Sequence, residues 1–437
     1  MKERKISIFP LLAVSFIGTL GFGIVLPSLV YLVRTFRGGP FIYGALGATY
    51  SAFQLIGSPM LGKLSDRFGR KKILFLSVLG SAVAWALFLF ALSMPITLIG
   101  EFSTGVTGAV AITVPMLCLF IARSVDGLTA GDVSVANAYV ADITTHDERK
   151  ADFGKMGVAA NLGFMLGPVF AGVLADTSMG LALPIGIALA TSILGLLLVI
   201  FFLPESHPKP ISKPIETTAI NQSIGRGHKE CYEVETPAKM TLAKALRLDG
   251  VPLLLSIYFV FFLAFSLFVA SLPLFATEVL AWSVTQLGLF FSFLSIVMVI
   301  TEGPVLSRLS KRFSAETLTI WGCFIVSFGY LSLLTSNQYA AYLGAALYAV
   351  GNGLMWPSFL SLLSDRAGDE NQGYIQGIGT SVGSLASIAG LLAGGILYTN
   401  LHGGVFLLTA ALVAAVGFLS FRLRGAAAQP VVSNLQA

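Results

Sequence analysis

Apolar residues run along this chain in blocks of about twenty, the length a helix needs to cross the hydrocarbon core of a bilayer. Twelve such blocks stand out, at 7–31, 41–61, 73–93, 111–140, 153–175, 181–203, 251–279, 285–306, 317–335, 338–363, 373–398 and 403–421. Between Leu203 and Val251 the pattern changes to a polar, proline-containing segment with Pro204, Pro208, Pro210, Pro214 and Pro237. Such a stretch is too polar to span and reads as a flexible linker joining six spans to six. Its end, Met240 to Leu248, is expected to form a short interfacial helix. A second irregularity, Ser93 to Ile112, lengthens the connection between spans 3 and 4 and carries Glu101; it reads as an interfacial or re-entrant excursion.

Composition agrees with this pattern. Of 437 residues, 55% are hydrophobic and 11% charged, with a mean hydropathy of +0.84. An ordinary soluble domain is about a quarter charged, so a soluble globular enzyme is excluded and most apolar side chains face lipid. The net charge of +5 comes without a basic stripe and interleaved aromatics, which argues against a nucleic-acid partner. Cys118 and Cys323 lie in apolar runs and Cys231 in a polar loop, with neither metal-ligand spacing nor a disulfide pattern.

Lys2, Arg4 and Lys5 precede the first span, which has no small-residue cleavage site and reads as a retained helix rather than a signal peptide. Threading twelve spans from a cytoplasmic start places 24 of the 27 Lys and Arg residues on the cytoplasmic side, leaving only Arg34, Arg37 and Arg123 elsewhere. A wrong span count would scatter the charges over both faces. Both termini are therefore expected to be cytoplasmic.

The chain also echoes itself. Ser58 to Gly69 reads SPMLGKLSDRFG, and Gly303 to Ser314, 245 positions later, reads GPVLSRLSKRFS. At an offset of 223, Asp142, Gly154, Gly167 and Gly172 fall on Asp365, Gly377, Gly390 and Gly395. Two repeated helical bundles with the substrate path between them is a common plan for secondary transporters. The expected fold is an all-α integral membrane protein of twelve transmembrane helices in two six-helix bundles. Residues 1–203 form the first bundle, 204–250 the cytoplasmic linker, 251–422 the second bundle and 423–437 a cytoplasmic tail.

Gly62 to Lys72, GKLSDRFGRKK, resembles the loop 2/3 signature of the major facilitator superfamily, G-x-L-x-D-R-x-G-R-K-x. Arg123-Ser-Val-Asp-Gly127 in span 4 is similar to the family's R-x-x-q-G element, with Asp126 for the usual Gln. Gly154, Gly163, Gly167-Pro168 and Ala171-Gly172 in span 5 resemble the signature of its antiporters, G-x8-G-x3-G-P-x2-G-G. The run from Arg123 through Ala138-Tyr139-Val140-Ala141-Asp142-Ile143-Thr144 to Arg149 looks most like the tetracycline-exporter-like branch of the drug:proton antiporters. Two departures weaken tetracycline itself as the substrate: Gly18 stands where those exporters carry an acid three positions before Gly-x-Gly, and Val30 replaces a second Pro after Pro27.

The resemblance implies a conformational latch built from Gly62, Asp66, Arg67, Gly69, Arg70 and Asp142. In it Asp66 faces the start of span 11 around Gly373 to Gly377, where a helix dipole favours a carboxylate, and Arg70 reaches Asp142. The residues themselves add that Asp66 and Arg70, four apart, can pair; the basic cluster also serves as cytoplasmic anchoring. Four charges fall inside spans: Arg123, Asp126, Asp132 and Glu302. Each costs about 2.5–3.5 kcal/mol at a helix centre on insertion scales, which marks them as candidates for coupling or for the substrate path. At about 100° per residue, Arg123 and Asp126 lie close enough to pair, either as a self-neutralising structural pair or as a proton-coupling one, since an apolar site favours a neutral carboxyl. Asp132 points to the opposite side and is not expected to share their cluster. Glu302 is expected either to snorkel to the inner interface or to serve as a cavity carboxylate.

No histidine lies in a span, and no G-x-x-x-x-G-K-[ST] run points to ATP. Phe261, Phe262, Phe265 and Phe268 with Met355-Trp356-Pro357 are candidates to line an amphiphile cavity, or are packing residues. The expectation is a multi-pass, monomeric transporter of the cell membrane, not an enzyme, without cofactor or metal and driven by the proton gradient. Its partners are protons, the lipid bilayer and a small amphiphilic or lipophilic substrate. The alternatives are transport of an endogenous metabolite, siderophore or lipid, and a non-transporting receptor or scaffold on the same fold.

Overall fold

A backbone surrounded by lipid has no water to bond with, so an apolar run folds as helix, where every peptide group finds its partner within the segment. The computed structural model describes residues 8–104, 107–144, 146–206, 242–248, 250–367 and 372–425. Helices α1 Phe9–Thr35, α2 Pro40–Phe68, α3 Arg70–Ser93, α4 Val114–Thr129, α5 Asp132–Ile143, α6 His146–Ala175 and α7 Ala182–Phe202 make the N-terminal set. After a turn at Leu242–Ala245 come α8 Val251–Glu278, α9 Val284–Ile300, α10 Ala315–Ser332, α11 Gln338–Ala367, α12 Gln372–Leu401 and α13 Val405–Ser420. Proline in the first two positions opens α1, α2, α4 and α8, where the missing N–H is not needed.

Among the described residues nine helical stretches are long and apolar enough to cross a membrane, and α1, bent by 44° between Val25 and Pro27, makes a tenth. One of the nine, Ile375–Leu423, contains both α12 and α13, which a short turn at His402–Gly404 separates. Helix α2 is less apolar because it carries Ser51, Gln54, Ser58 and the charges from Lys63 to Arg67. Most of the expected linker, like residues 1–7 and 426–437, lies outside the described residues; of the expected interfacial helix at its end, one turn at Leu242–Ala245 is described.

Two details add to the expected helical fold. In the connection between spans 3 and 4, Leu98–Thr104 and Gly108–Thr113 pair as an antiparallel hairpin, β1 and β2, with Phe102 opposite Val110. The segment is rich in Ile, Val and Thr, which favour an extended backbone. It is anchored where Val110 and Thr113 are buried and the Thr113 hydroxyl donates to the Phe36 carbonyl at 3.3 Å. The second detail is in span 4: Val114–Ile143 is a single membrane-crossing stretch, but its helix is interrupted at Ala130 and Gly131, where α4 ends and α5 begins.

Helices α1 to α7 pack mainly on one another, with α1 on α6, α2 and α7 on α3, and α4 on α2 and α3. Helices α8 to α13 do the same through α8 on α12 and α10 on α11 and α13. Two seams join the sets, α2 against α12 and α6 against α9.

Candidate functional site

Both seams lie at one end of the bundle. A Cβ built on Gly172 of α6 would lie 3.1 Å from Thr285 Cα and 3.2 Å from Gly288 Cα in α9. One built on Gly395 of α12 would lie 2.5 Å from the Pro40 carbonyl oxygen and 3.1 Å from Phe41 Cα in α2. Only small residues let backbones meet this closely. These contacts are repeat mates: Gly172 and Gly395 are 223 apart, Pro40 and Thr285 are 245 apart. Likewise Gly167 packs on the Leu20 carbonyl of α1 and Gly390 on the Leu263 carbonyl of α8. The internal echo is thus present in the packing as well as in the letters. Gly163, from the same motif, meets Phe16 and Thr19 of α1, and Pro168 offers its carbonyl side to Gly288. At the same end the Tyr31 hydroxyl donates to the Trp282 carbonyl at 2.6 Å, the Thr285 hydroxyl to the Gly172 carbonyl at 2.7 Å, and Arg34 pairs with Glu278 at 3.2 Å.

The opposite end carries the basic residues. There Gly62, Gly154, Gly303 and Gly377 have open space where a Cβ would be. The two helix sets are therefore closed together at the far end, by contacts that have no counterpart at these four glycines.

Between them lies a central cavity of 370 Å³. Its polar lining includes Tyr43, Tyr50, Gln54, Arg123, Asp132 and Ser387, with Phe22 and Phe265 among its apolar residues. Arg123 is only 4% exposed. Its guanidinium sits 3.6 Å from Asp126 and stacks over the rings of Tyr50 at 5.3 Å and Phe88 at 5.9 Å. Asp126 also accepts from Ser81 at 3.0 Å and is held behind the cavity wall rather than in it. Arg123 Nε is buried without a hydrogen-bond partner among the described residues.

Asp132 shares this cavity with Arg123, contrary to the expectation from helix phase. The reason is the break at Ala130 and Gly131, which resets the rotation between α4 and α5. No basic side chain lies within ion-pair distance of Asp132 among the described residues. Its carboxylate instead fills the space beside Gly18 of α1.

Glu302 stands apart from the central cavity. It lies in a π-helical turn, Thr301–Val305, and lines a separate cavity at the basic end with Ser307, Ser310, Ser358 and Ser361. Of the aromatic candidates only Phe265 faces the central cavity; Phe261, Phe268 and Met355 are core, and Trp356 stacks on Phe261 at 5.9 Å.

At the basic end Arg70 pairs with Asp66 at 2.5 Å, and its Nε donates to Asp142 at 2.9 Å. The same Nη1 that meets Asp66 also donates to the Ser65 hydroxyl at 2.6 Å. Asp66 remains 63% exposed, and Arg67 lies over the Phe68 ring at 5.4 Å. The expected meeting of Asp66 with the start of span 11 falls on residue 371 and the side chains at 372–374, which lie outside the described residues; Gly377 has open space where a Cβ would be. Gly69 turns the chain with φ 101°, and the Arg70 backbone N–H donates to Glu205 at 2.7 Å.

Sequence reasoning missed Glu205, Ser81 and the Arg34–Glu278 pair, none of which has a local signature. Tyr43, Tyr50 and Gln54 had one, the low hydropathy of α2.

The sequence matches the description of the Major Facilitator Superfamily over residues 11–391. It is 29% identical over 376 residues to the class C tetracycline resistance protein of Escherichia coli, covering 85% of each chain. It is 26% identical over 411 residues to multidrug resistance protein 2 of Bacillus subtilis (strain 168), covering 92% of this chain and 91% of that one. Among solved structures, the inward-open xylose transporter XylE of E. coli superposes with a TM-score of 0.69 at 16% identity, over 95% of this chain and 96% of that one. The human organic anion transporter MFSD10 does so with a TM-score of 0.64 at 20% identity, over 96% and 100%. These structural likenesses concern the fold.

Proposed function

The chain belongs to the Major Facilitator Superfamily, a multi-pass membrane transporter and not an enzyme, and from that premise we propose that it exports a small amphiphile in exchange for protons by alternating access. In this reading twelve helices cross the membrane in two six-helix bundles, residues 1–203 and 251–422. The basic end is cytoplasmic, so the present state opens inward.

The observation that carries the proposal is Asp132, a carboxylate without a cationic partner among the described residues on the wall of the central cavity, beside the Arg123–Asp126 pair. One uncompensated negative charge in an apolar enclosure favours either a proton or a substrate cation, and not both at once. That competition is what an exchanger requires. The acid that the resemblance places on the first span is absent at Gly18, and Asp132 supplies a carboxylate against that glycine from across the wall. The substrate class is accordingly an amphiphile with a cationic group and an apolar body to meet Phe22, Val25, Leu29 and Phe265. Relatives named for tetracycline and multidrug resistance support a drug-like compound.

The test is reconstitution in liposomes with an imposed pH gradient, reading compound flux and proton movement together. Cationic amphiphiles should move against protons. Flux of such compounds with no accompanying proton movement, or of neutral compounds alone, would dismiss the reading.

A further inference from the structure

The Arg70 cluster is completed by residues that come from beyond α7. Helix α3 starts directly after Gly69, which has no side chain to cap it, so its first N–H groups need an acceptor from elsewhere. Glu205 supplies one: its Oε1 accepts from the Arg70 N–H at 2.7 Å and from the Lys71 N–H at 3.3 Å. The other oxygen, Oε2, lies 2.5 Å from where a Cβ at position 69 would stand. Gly69 is thus required twice, by its φ of 101° and by the carboxylate that occupies its side-chain space.

The neighbours of Glu205 are tied down as well. Leu203 is 1% exposed, and the hydroxyl of the buried Tyr139 in α5 donates to the Pro204 carbonyl at 2.6 Å. The Ser206 hydroxyl donates to Asp142 Oδ2 at 3.2 Å, the same atom that accepts from Arg70 Nε, and Lys71 Nζ donates to the Ile200 carbonyl at 2.8 Å. Residues 203–206 therefore bridge α3 and α5, the two helices whose Arg70 and Asp142 form the ion pair. The connection to the second helix set begins inside the cluster.

A carboxylate at the first turn of a helix is favoured by the unbonded N–H groups and by the positive end of the dipole. Here it also has a geometric effect. Arg70 is the first residue of α3, so whatever fixes its N–H fixes where its side chain sets out. We propose that Glu205 is a positioning residue of the cluster: by holding the first turn of α3, it sets the approach of the Arg70 guanidinium to Asp66 and Asp142. A rearrangement of those ion pairs then has to carry the segment leaving α7 with it or release Glu205. Glu205 does this whether or not Asp132 carries the exchange, and the latch role of the cluster has its own test in Asp66→Asn.

Amide hydrogen exchange of the purified full-length protein, read by mass spectrometry on peptides spanning 66–76 and 136–144, tests the assignment without any substrate. Glu205→Ala should speed exchange in the first turn of α3 by about tenfold, from the loss of two charge-assisted bonds. It should also speed exchange at the end of α5, where Asp142 loses a well-aimed Arg70. Glu205→Gln keeps an acceptor oxygen and should restore most of the protection, and Asp176→Asn, on an exposed turn, should change neither peptide. In Arg70→Gln, where the ion pairs are already gone, adding Glu205→Ala should leave the end of α5 as it was. An end of α5 undisturbed by Glu205→Ala overturns the proposal and leaves Glu205 a helix cap alone. An equal increase with and without Arg70 overturns it too, by placing the effect in the bonds of Pro204 and Ser206. Should Glu205→Ala not fold, Glu205→Asp, one methylene short of the same amides, is read against the same outcomes.

Discussion

The carboxylate of Asp132 rests against Gly18, in the space a side chain on α1 would otherwise take. A helix break and a missing side chain, distant in sequence, together put on the cavity wall a carboxylate with no ion-pair partner among the described residues. Gly18→Ala is expected to push that carboxylate from its place, because the new methyl and Asp132 Oδ2 would overlap. Proton-coupled flux should fall by about tenfold, equivalent to about 1.4 kcal/mol in the barrier, with protein yield unchanged. Wild-type flux in Gly18→Ala would show that the contact has no part in transport.

Asp132→Asn removes the negative charge while keeping the shape. Binding of a cationic amphiphile should become independent of pH, whereas the unmodified protein should lose affinity as the pH falls and protons compete for the same carboxylate. Equilibrium binding in detergent measures this directly. Persisting proton competition in the variant would move the coupling site elsewhere, with Glu302 the next candidate.

For Asp126 the expectation is structural as well as functional. Arg123 is buried, with Asp126 as its neutralising partner, and breaking a buried pair on one side costs about 3–5 kcal/mol. Asp126→Asn should therefore lower the thermal midpoint of the purified protein strongly, and Ser81→Ala by only about 1 kcal/mol in stability, the worth of one hydrogen bond. If Asp126→Asn also loses dependence on the proton gradient, the pair takes part in coupling. Retained dependence makes it a purely structural pair.

Asp66→Asn should abolish transport with expression intact, since Asp66 is largely solvent-exposed and its loss leaves Arg70 held by Asp142 and Ser65. Gly69→Ala should act differently. At φ 101° any side chain is strained, by about 1–3 kcal/mol, and here it would also strike Glu205. A drop in thermal stability distinguishes that outcome from the Asp66 variant.

The long apolar spans, the loop of Gly62 to Lys72 and the internal repeat were legible because each is written in consecutive residues or at a fixed offset. The Arg123–Asp126 pair was legible too, since three residues of unbroken helix set its geometry. Asp132 was not placed correctly because a two-residue break at Ala130 and Gly131 rotates everything after it, and neither residue forbids helix. The hairpin at 98–113 was missed because its apolar content resembles a span edge, while its β-branched residues argue for strand. Phe261 and Phe268 looked like cavity residues because aromatic spacing alone does not tell which face of α8 meets α11 and which meets the opening.

The seams of Gly172 with Gly288 and of Gly395 with Pro40 lie side by side at the far end, related by the repeat. Two separate closures in parallel have a consequence for leakage. The two contacts join the same two helix sets, so that end opens only when both are broken in one movement. In the proposed exchange, a bulky residue at either glycine alone would wedge the closed end apart and let the gradient leak.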